Sequence, residues 1–419
     1  MTDRVDEAIA AIWRIESPKL IARLSRMTRD VGKAEDLAQD AFVAALSQWP
    51  DEGIPRNPGA WLMTIAKRRA VDAIRRHETL ARKSLELAHS LSVAESKTDV
   101  AAAYDEIDDD LLRLMFVACH PVVSREAHVA LTLKLLGGLT TAEIARAFLT
   151  AEATIAQRIV RAKRTLAEAR VPFEVPSGSE RRRRLASILE TIYLIFNEGY
   201  AATVGDDVLR PELTEDALRL GRMLAALMPD ESEVHGLVAL MEIQASRMRA
   251  RVGPSGEPIL LLEQDRSKWN RLLIYRGLAA LARAERLCHP EHVEGSYALQ
   301  AAIAACHARA ATADATNWHR IAALYGALAN TAPSPVVELN RAVAVGMAYG
   351  PQAGLNIVDE LREEPALRAY HLLPSVRADL LAKLGRITEA RDEFERAASL
   401  ARNTRDKALL LARAAGASS

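Results

Sequence analysis

Two breaks built from proline and glycine, Trp49 to Gly59 and Val171 to Gly178, interrupt a chain whose hydrophobic residues otherwise recur at helical spacing. Proline removes a helical hydrogen bond and glycine weakens the helix, so these breaks fix where helical units must end. Between and beyond them Ala, Leu and Arg recur and aromatics make up only 5% of the chain, a mix that favours helix over sheet. The sequence therefore predicts an all-α protein with almost no strand. At 419 residues the chain is too long for one core, and at roughly 100 to 200 residues per domain it should form two to four.

The breaks and the charge pattern suggest five segments. A helical domain over 1–85 contains the first break and restarts near Pro58. Residues 86–110 carry eight acids against one base, Lys97, and read as an acidic flexible linker. A second helical domain spans 111–172 and stops at the second break. The run Arg181 to Arg184 reads as a solvated helix start. A helical extension follows over 186–290, then repeat-like helices over 291–419. In that last part Ala378, Leu381, Gly385, Ala390, Phe394 and Ala397 fall at the small and large positions of a tetratricopeptide unit. Ala342, Val345, Gly350 and Ala353 form a looser copy, and Trp318, Ala322 and Tyr325 a third first helix.

Several function classes are excluded or disfavoured. Lys plus Arg and Asp plus Glu number 55 each, so any nucleic-acid footprint must be local. No apolar stretch approaches the roughly 18 residues of a membrane span, and the N-terminus lacks a signal-type core, so a cytoplasmic protein is expected. Three cysteines preclude a disulfide scaffold. Each precedes a histidine (Cys119-His120, Cys288-His289, Cys306-His307), but none of these pairs has the close spacing that puts two ligands on one metal. There is no phosphate loop, nucleophile elbow or HExxH, so no enzyme, cofactor or metal is expected, and Asn197 and Glu198 are set aside as catalytic candidates.

Two blocks have the residues needed to touch DNA. From Gly138 to Leu166 a short helix, capped by Thr140 or Thr141, is followed by a tight turn and a second helix. Ile155, Ile159, Ala162 and Leu166 share one face of that second helix and should be core. The opposite face offers Thr154, Gln157, Arg158, Arg161 and Arg164, suited to base edges and phosphates. The earlier block, Trp61 to Arg76, buries Leu62, Ile65, Ala66, Ala70 and Ala73 and exposes Lys67, Arg68, Arg69, Arg75 and Arg76. A basic helix beside a proline-glycine loop can hold a strand while the loop takes an unstacked base.

These blocks resemble a known family. Asp36-Leu37-Ala38-Gln39-Asp40-Ala41-Phe42 with the Trp61 to Arg76 helix resembles sigma domain 2 of bacterial RNA polymerase sigma factors. Gly138 to Leu166 resembles sigma domain 4, and the absence of a domain between them resembles the extracytoplasmic-function (ECF) group. The extension resembles that of one ECF subgroup through Tyr193 to Tyr200, Leu261 to Arg266, Ala301 to His307 and Ser334 to Ala342. The resemblance implies core RNA polymerase and promoter DNA as partners. Asp36, Gln39 and Asp40 would face the clamp helices of the β′ subunit, domain 4 would meet the β flap and read the minus-35 element, and domain 2 would capture the minus-10 bases. The repeat-like helices would contact the chain's own sigma domains or a peptide. Leu149 stands where sigma factors commonly have a turn glycine, and the turn is expected to be kept. The alternative is a helix-turn-helix regulator with a repeat-built sensor; it needs no equivalent of the block from Asp36 to Arg76.

Overall fold

The computed structural model describes residues 2–84, 100–200, 210–254, 257–288, 295–401 and 404–416, without the side chains of 2–6, 73–84 and 100–107. Among these residues the protein is all helical, with a single isolated bridge between Val252 and Pro258 in place of any strand. It divides into two compact units, 1–194 and 195–419.

In the first unit α1 (Thr2–Thr28), α2 (Val31–Glu52) and α3 (Pro58–Ser84) pack together. The Asp30 carboxylate caps α2 by accepting from Gly32 N and Lys33 N at 2.9 and 3.1 Å, satisfying donors that a helix start leaves open. Trp49 and Trp61 meet edge to face at 5.3 Å across the first break, so the loop between α2 and α3 is pinned at both ends. Then come α4 (Val100–Ala118), α5 (Arg125–Leu135), α6 (Thr141–Ala147) and α7 (Glu152–Glu168).

The stretch read as a flexible linker over 86–110 needs correction at its C-terminal end. Residues from Val100 onward are helical, and Asp110 is fully buried, bound to Arg113 at 2.7 Å, Arg23 at 3.3 Å and Arg26 at 3.8 Å. The acid count could not distinguish a solvated run from one whose last member meets three arginines. Residues 86–99 lie outside the described residues.

The helix α8 (Gly178–Tyr200) corrects a second expectation. Its first half belongs to the first unit: Leu185, Ile188, Leu189 and Ile192 are buried there. Arg184, expected in a solvated start, is 5% exposed; it donates to Phe116 O at 2.7 Å and lies over the Phe116 ring. Cys119 sits beside it as a core thiol, 3.6 Å from Thr132 Oγ1 and 3.7 Å from Thr191 Oγ1, and burial pushes its pKa up.

The second unit is a chain of helices in which successive members pack on one another: α9 (Pro211–Leu227), α10 (Ser232–Ala245), α11 (Arg271–Leu287), α12 (Ser296–Arg309), α13 (Trp318–Thr331), α14 (Pro335–Tyr349), α15 (Pro351–Glu360), α16 (Leu372–Lys383), α17 (Ile387–Leu400) and α18 (Thr404–Gly416). Helices α14 and α15 approach so closely that a Cβ on Gly354 would lie 2.6 Å from Ala342 O. The α16–α17 turn uses Gly385 at φ 76°, and Arg386 N closes it on Leu381 O at 3.0 Å. Ala378, Leu381, Ala390, Phe394 and Ala397 are all buried at this pair.

Candidate nucleic-acid interface

The interface is built on α6 and α7. Thr140 rather than Thr141 caps α6: its hydroxyl accepts from Glu143 N at 3.1 Å, and the Glu143 carboxylate accepts from Thr140 N at 2.7 Å. Arg14 of α1 adds an ion pair to Glu143 at 2.9 Å. Burial alone would raise the Glu143 pKa, but the Thr140 donors and Arg14 together outweigh it and hold the carboxyl below its usual value. After α6 the chain turns through Leu149 at φ 47°, with Thr150 N donating to Ala145 O at 3.0 Å. The turn is kept with a leucine in the left-handed region, which costs an L-residue about 1–2 kcal/mol. Leu149 is 57% exposed, so little packing offsets that cost.

Ile155, Ile159, Ala162 and Leu166 are buried, as their spacing predicts. Thr154, Gln157, Arg161 and Arg164 are exposed, and Arg158 is partly exposed. Thr154, Gln157, Arg158 and Arg161 line a groove of about 580 Å³ together with Val122, Val123, Ser124 and Glu126. Arg164 leans back on Glu168 at 2.6 Å, an exposed pair that water screens. Glu126, at the start of α5, has its carboxyl lowered by its own backbone N–H, by Ser124 and to a lesser extent by Arg158. The groove wall is therefore mixed in charge, and the cationic part belongs to α7.

On α3, Lys67 and Arg68 are exposed, while Arg69 is half-buried and pairs with Asp40 of α2 at 3.3 Å. Leu62, Ala66 and Ala70 are fully buried beneath them. The side chains of Arg75 and Arg76 lie outside the described residues. Asp36, Gln39 and Asp40 are exposed on α2, and Gln39 donates to Glu35 at 2.7 Å. Beside them an apolar groove of about 440 Å³ is lined by Trp13, Phe42, Val43 and Leu46.

Glu35 is the residue that sequence reasoning missed. It is 1% exposed and sits between Lys134 of α5, at 3.5 Å, and Lys163 of α7. The α2 helix of the first domain is thus fastened to the second domain through a buried charge. Its position offers a signal, because Val31, Ala34, Glu35, Ala38 and Phe42 form one buried stripe. An acid on such a stripe requires a cationic partner.

Residues 12–79 match the family model for sigma-70 region 2, and residues 113–166 match that for sigma-70 region 4. The chain belongs to the sigma-70 family. Its relatives place it in the ECF type, as a sigma factor with a C-terminal helical extension. It is 26% identical over 208 residues to the probable ECF RNA polymerase sigma factor SigI of Mycobacterium tuberculosis, covering 47% of this chain and 70% of the relative. It is 27% identical over 161 residues to the ECF RNA polymerase sigma factor SigK of Mycobacterium ulcerans, covering 38% and 84%. An uncharacterised protein of Rhizobium meliloti is 42% identical over 394 residues, 94% of this chain and 92% of its own length. Residues 184–285 of the extension match a family of unknown function, DUF6596. No solved structure gives a significant match. Core RNA polymerase and promoter DNA are the partners that membership of the sigma-70 family implies. Among the described residues no helix is long and apolar enough to cross a membrane.

Proposed function

We propose that this sigma factor reads the minus-35 element with α7 and captures minus-10 bases with the loop between α2 and α3, while its extension controls the activity from within the same chain. The observation that carries the first part is the face of α7, where Thr154, Gln157 and Arg161 are exposed directly opposite a buried apolar stripe. Hydrogen-bonding side chains at the N-terminal end of such a helix, with Arg158 and Arg161, suit base edges in a major groove, and Arg164 suits a flanking phosphate. In domain 2, Lys67 and Arg68 offer charge to a strand, with Arg69, Arg75 and Arg76 on the same helix. Asp36, Gln39 and Asp40 meet the polymerase clamp in this reading, and domain 4 meets the β flap. The protein supplies binding and melting, and the polymerase supplies the nucleotidyl transfer.

The extension is more than half of the chain. A tethered module meets its own sigma domains at an effective concentration that can reach about the millimolar range, so a weak contact suffices. The pairs α14–α15 and α16–α17, with Ala342, Ala378, Ala390 and Ala397 buried at their crossings, support reading them as tetratricopeptide-like repeats. In this account the extension is needed for activity.

The test is transcription by core polymerase on templates with and without a minus-35 element. Arg161→Ala and Arg158→Ala should each lower output by about 1–3 kcal/mol in promoter affinity where the side chain reaches a base edge. Equal loss on all DNA would assign the residue to phosphate, and no loss on any template would refute this orientation of α7.

A further inference from the structure

Three of the four sequence blocks that mark the extension converge on one place in the second unit. Tyr200 ends the first block, Arg266 closes the second, and His307 ends the third; Arg247, Arg251 and Trp269 join them. The guanidinium carbon of Arg251 lies 3.7 Å from the Tyr200 ring centre, and that of Arg247 lies 5.9 Å from Tyr200 and 5.8 Å from Trp269. Arg266 lies 5.0 Å from the other side of the series, over Trp269. Three arginines and two aromatic rings thus alternate in a single stack.

Among the described residues the stack has no matching anion. Among the described residues none of the three arginines forms an ion pair; the one carboxylate acting on Arg251 is Asp406, through its field rather than a bridge. Arg266 spends its donors on His307 O, Ala310 O at 2.7 Å and Thr316 Oγ1 at 3.2 Å. Arg247 donates to Tyr200 Oη at 2.8 Å and Gln244 Oε1 at 3.0 Å. Left over, and buried, are Arg247 Nε, Arg251 Nη1, Trp269 Nε1 and His307 Nδ1, none with a hydrogen-bond partner. Each cation also opposes the next: Arg247 depresses both Arg251 and Arg266, in each case after burial itself. Burial, then Arg247 and Arg266, push the His307 imidazole down to about 4, so it is neutral at physiological pH. Aromatic faces hold guanidinium groups in place, but they offer no lone pairs for N–H donors and no charge to offset three cations.

We propose that this stack is a binding site for a small molecule bearing an oxyanion, a phosphate ester or a carboxylate, with Arg247 and Arg251 as its charged contacts. Both side chains keep part of their surface open to solvent, and a planar guanidinium with free N–H groups matches the fork of a carboxylate or phosphate. Trp269 and His307 supply the neutral donors, and Arg266, already committed to the His307 and Ala310 carbonyls, ties the turn that carries Trp269 to the end of α12 that carries His307. The site lies in a part of the chain to which the sigma-70 regions assign no role. It stands independently of the promoter-reading proposal.

Isothermal titration of the full chain should be run with inorganic phosphate and with citrate, at ionic strength matched by chloride. The expected result is saturable binding of one of the two at one equivalent per chain; which probe binds distinguishes the phosphate class from the carboxylate class. Arg251→Gln and Arg247→Gln should each weaken that binding at least about tenfold, as loss of a bidentate charged contact does, while Arg249→Gln, an exposed neighbour, leaves it unchanged. Phenylglyoxal labelling of the wild-type chain followed by mass spectrometry needs no variant, and the bound anion should protect Arg247 and Arg251 selectively. Absence of saturable binding by either anion, or binding with both arginines equally reactive, would make the stack a purely structural cation–π ladder and overturn the proposal.

Discussion

Replacing Glu35 by Gln tests how the two sigma domains are held in the first unit. The carboxylate is 1% exposed, and its two lysines keep only 14% and 18% of their side-chain surface, so the substitution leaves two buried cations facing an amide. Breaking a buried pair from one side typically costs about 3–5 kcal/mol. The lysine chains are long enough to swing toward water, which lowers the expected cost here to about 2–3 kcal/mol. At about 1.4 kcal/mol per tenfold, the equilibrium for separating domain 4 from domain 2 should shift toward the open form by about 30- to 150-fold. Dye pairs attached through Ser47→Cys and Ala167→Cys, both exposed positions, would report the separation once Cys288 is replaced by Ser. Glu35→Gln should broaden the distance distribution toward longer values, and a Glu35→Gln, Lys163→Gln double-mutant cycle should show coupling above about 1 kcal/mol. An additive cycle with unchanged distances would mean that Glu35 does not fasten the domains.

Charge reversal at Asp36 and Asp40 should weaken binding to core polymerase in a pull-down while the circular dichroism spectrum is unchanged, because both residues are exposed. Asp36→Lys alone isolates the effect from the Asp40–Arg69 pair. Leu149→Gly should stabilise the first unit by about 0.5–1 kcal/mol, read as a higher urea midpoint, since the left-handed turn no longer carries a Cβ and Gly gives up part of the gain as unfolded-state entropy. Truncation after Pro176 should leave a fragment less stable than one ending at Tyr200, because the shorter one loses Arg184 and the Thr191 contact to Cys119. Proteolysis rates of the two fragments compare them, and the longer fragment should transcribe poorly without the rest of the extension.

The helix-turn-helix was legible because its information is local. Four apolar residues at spacings of four, three and four allow one buried face, and the remaining residues of α7 then have nowhere to go but outward. The same held for Leu62, Ala66 and Ala70 on α3 and for the small residues at the α16–α17 pair. What escaped was long-range pairing. Glu35 looks like any acid near Asp36 until Lys134 and Lys163 arrive from about a hundred residues away, and Asp110 looks like the last acid of a linker until Arg23 and Arg26 meet it. Arg184 was read with its exposed neighbours because a run of four arginines conceals which one points inward. Charge that is neutralised by tertiary contact leaves no periodic trace, so composition describes it as solvated.

The most direct measurement is reconstituted transcription: core RNA polymerase with and without this protein on fragmented genomic DNA, with sequencing of the 5′ ends of the transcripts. Discrete start sites are expected that depend on the added protein and share two spaced upstream elements near minus-35 and minus-10. Start sites identical to those of core enzyme alone would contradict it.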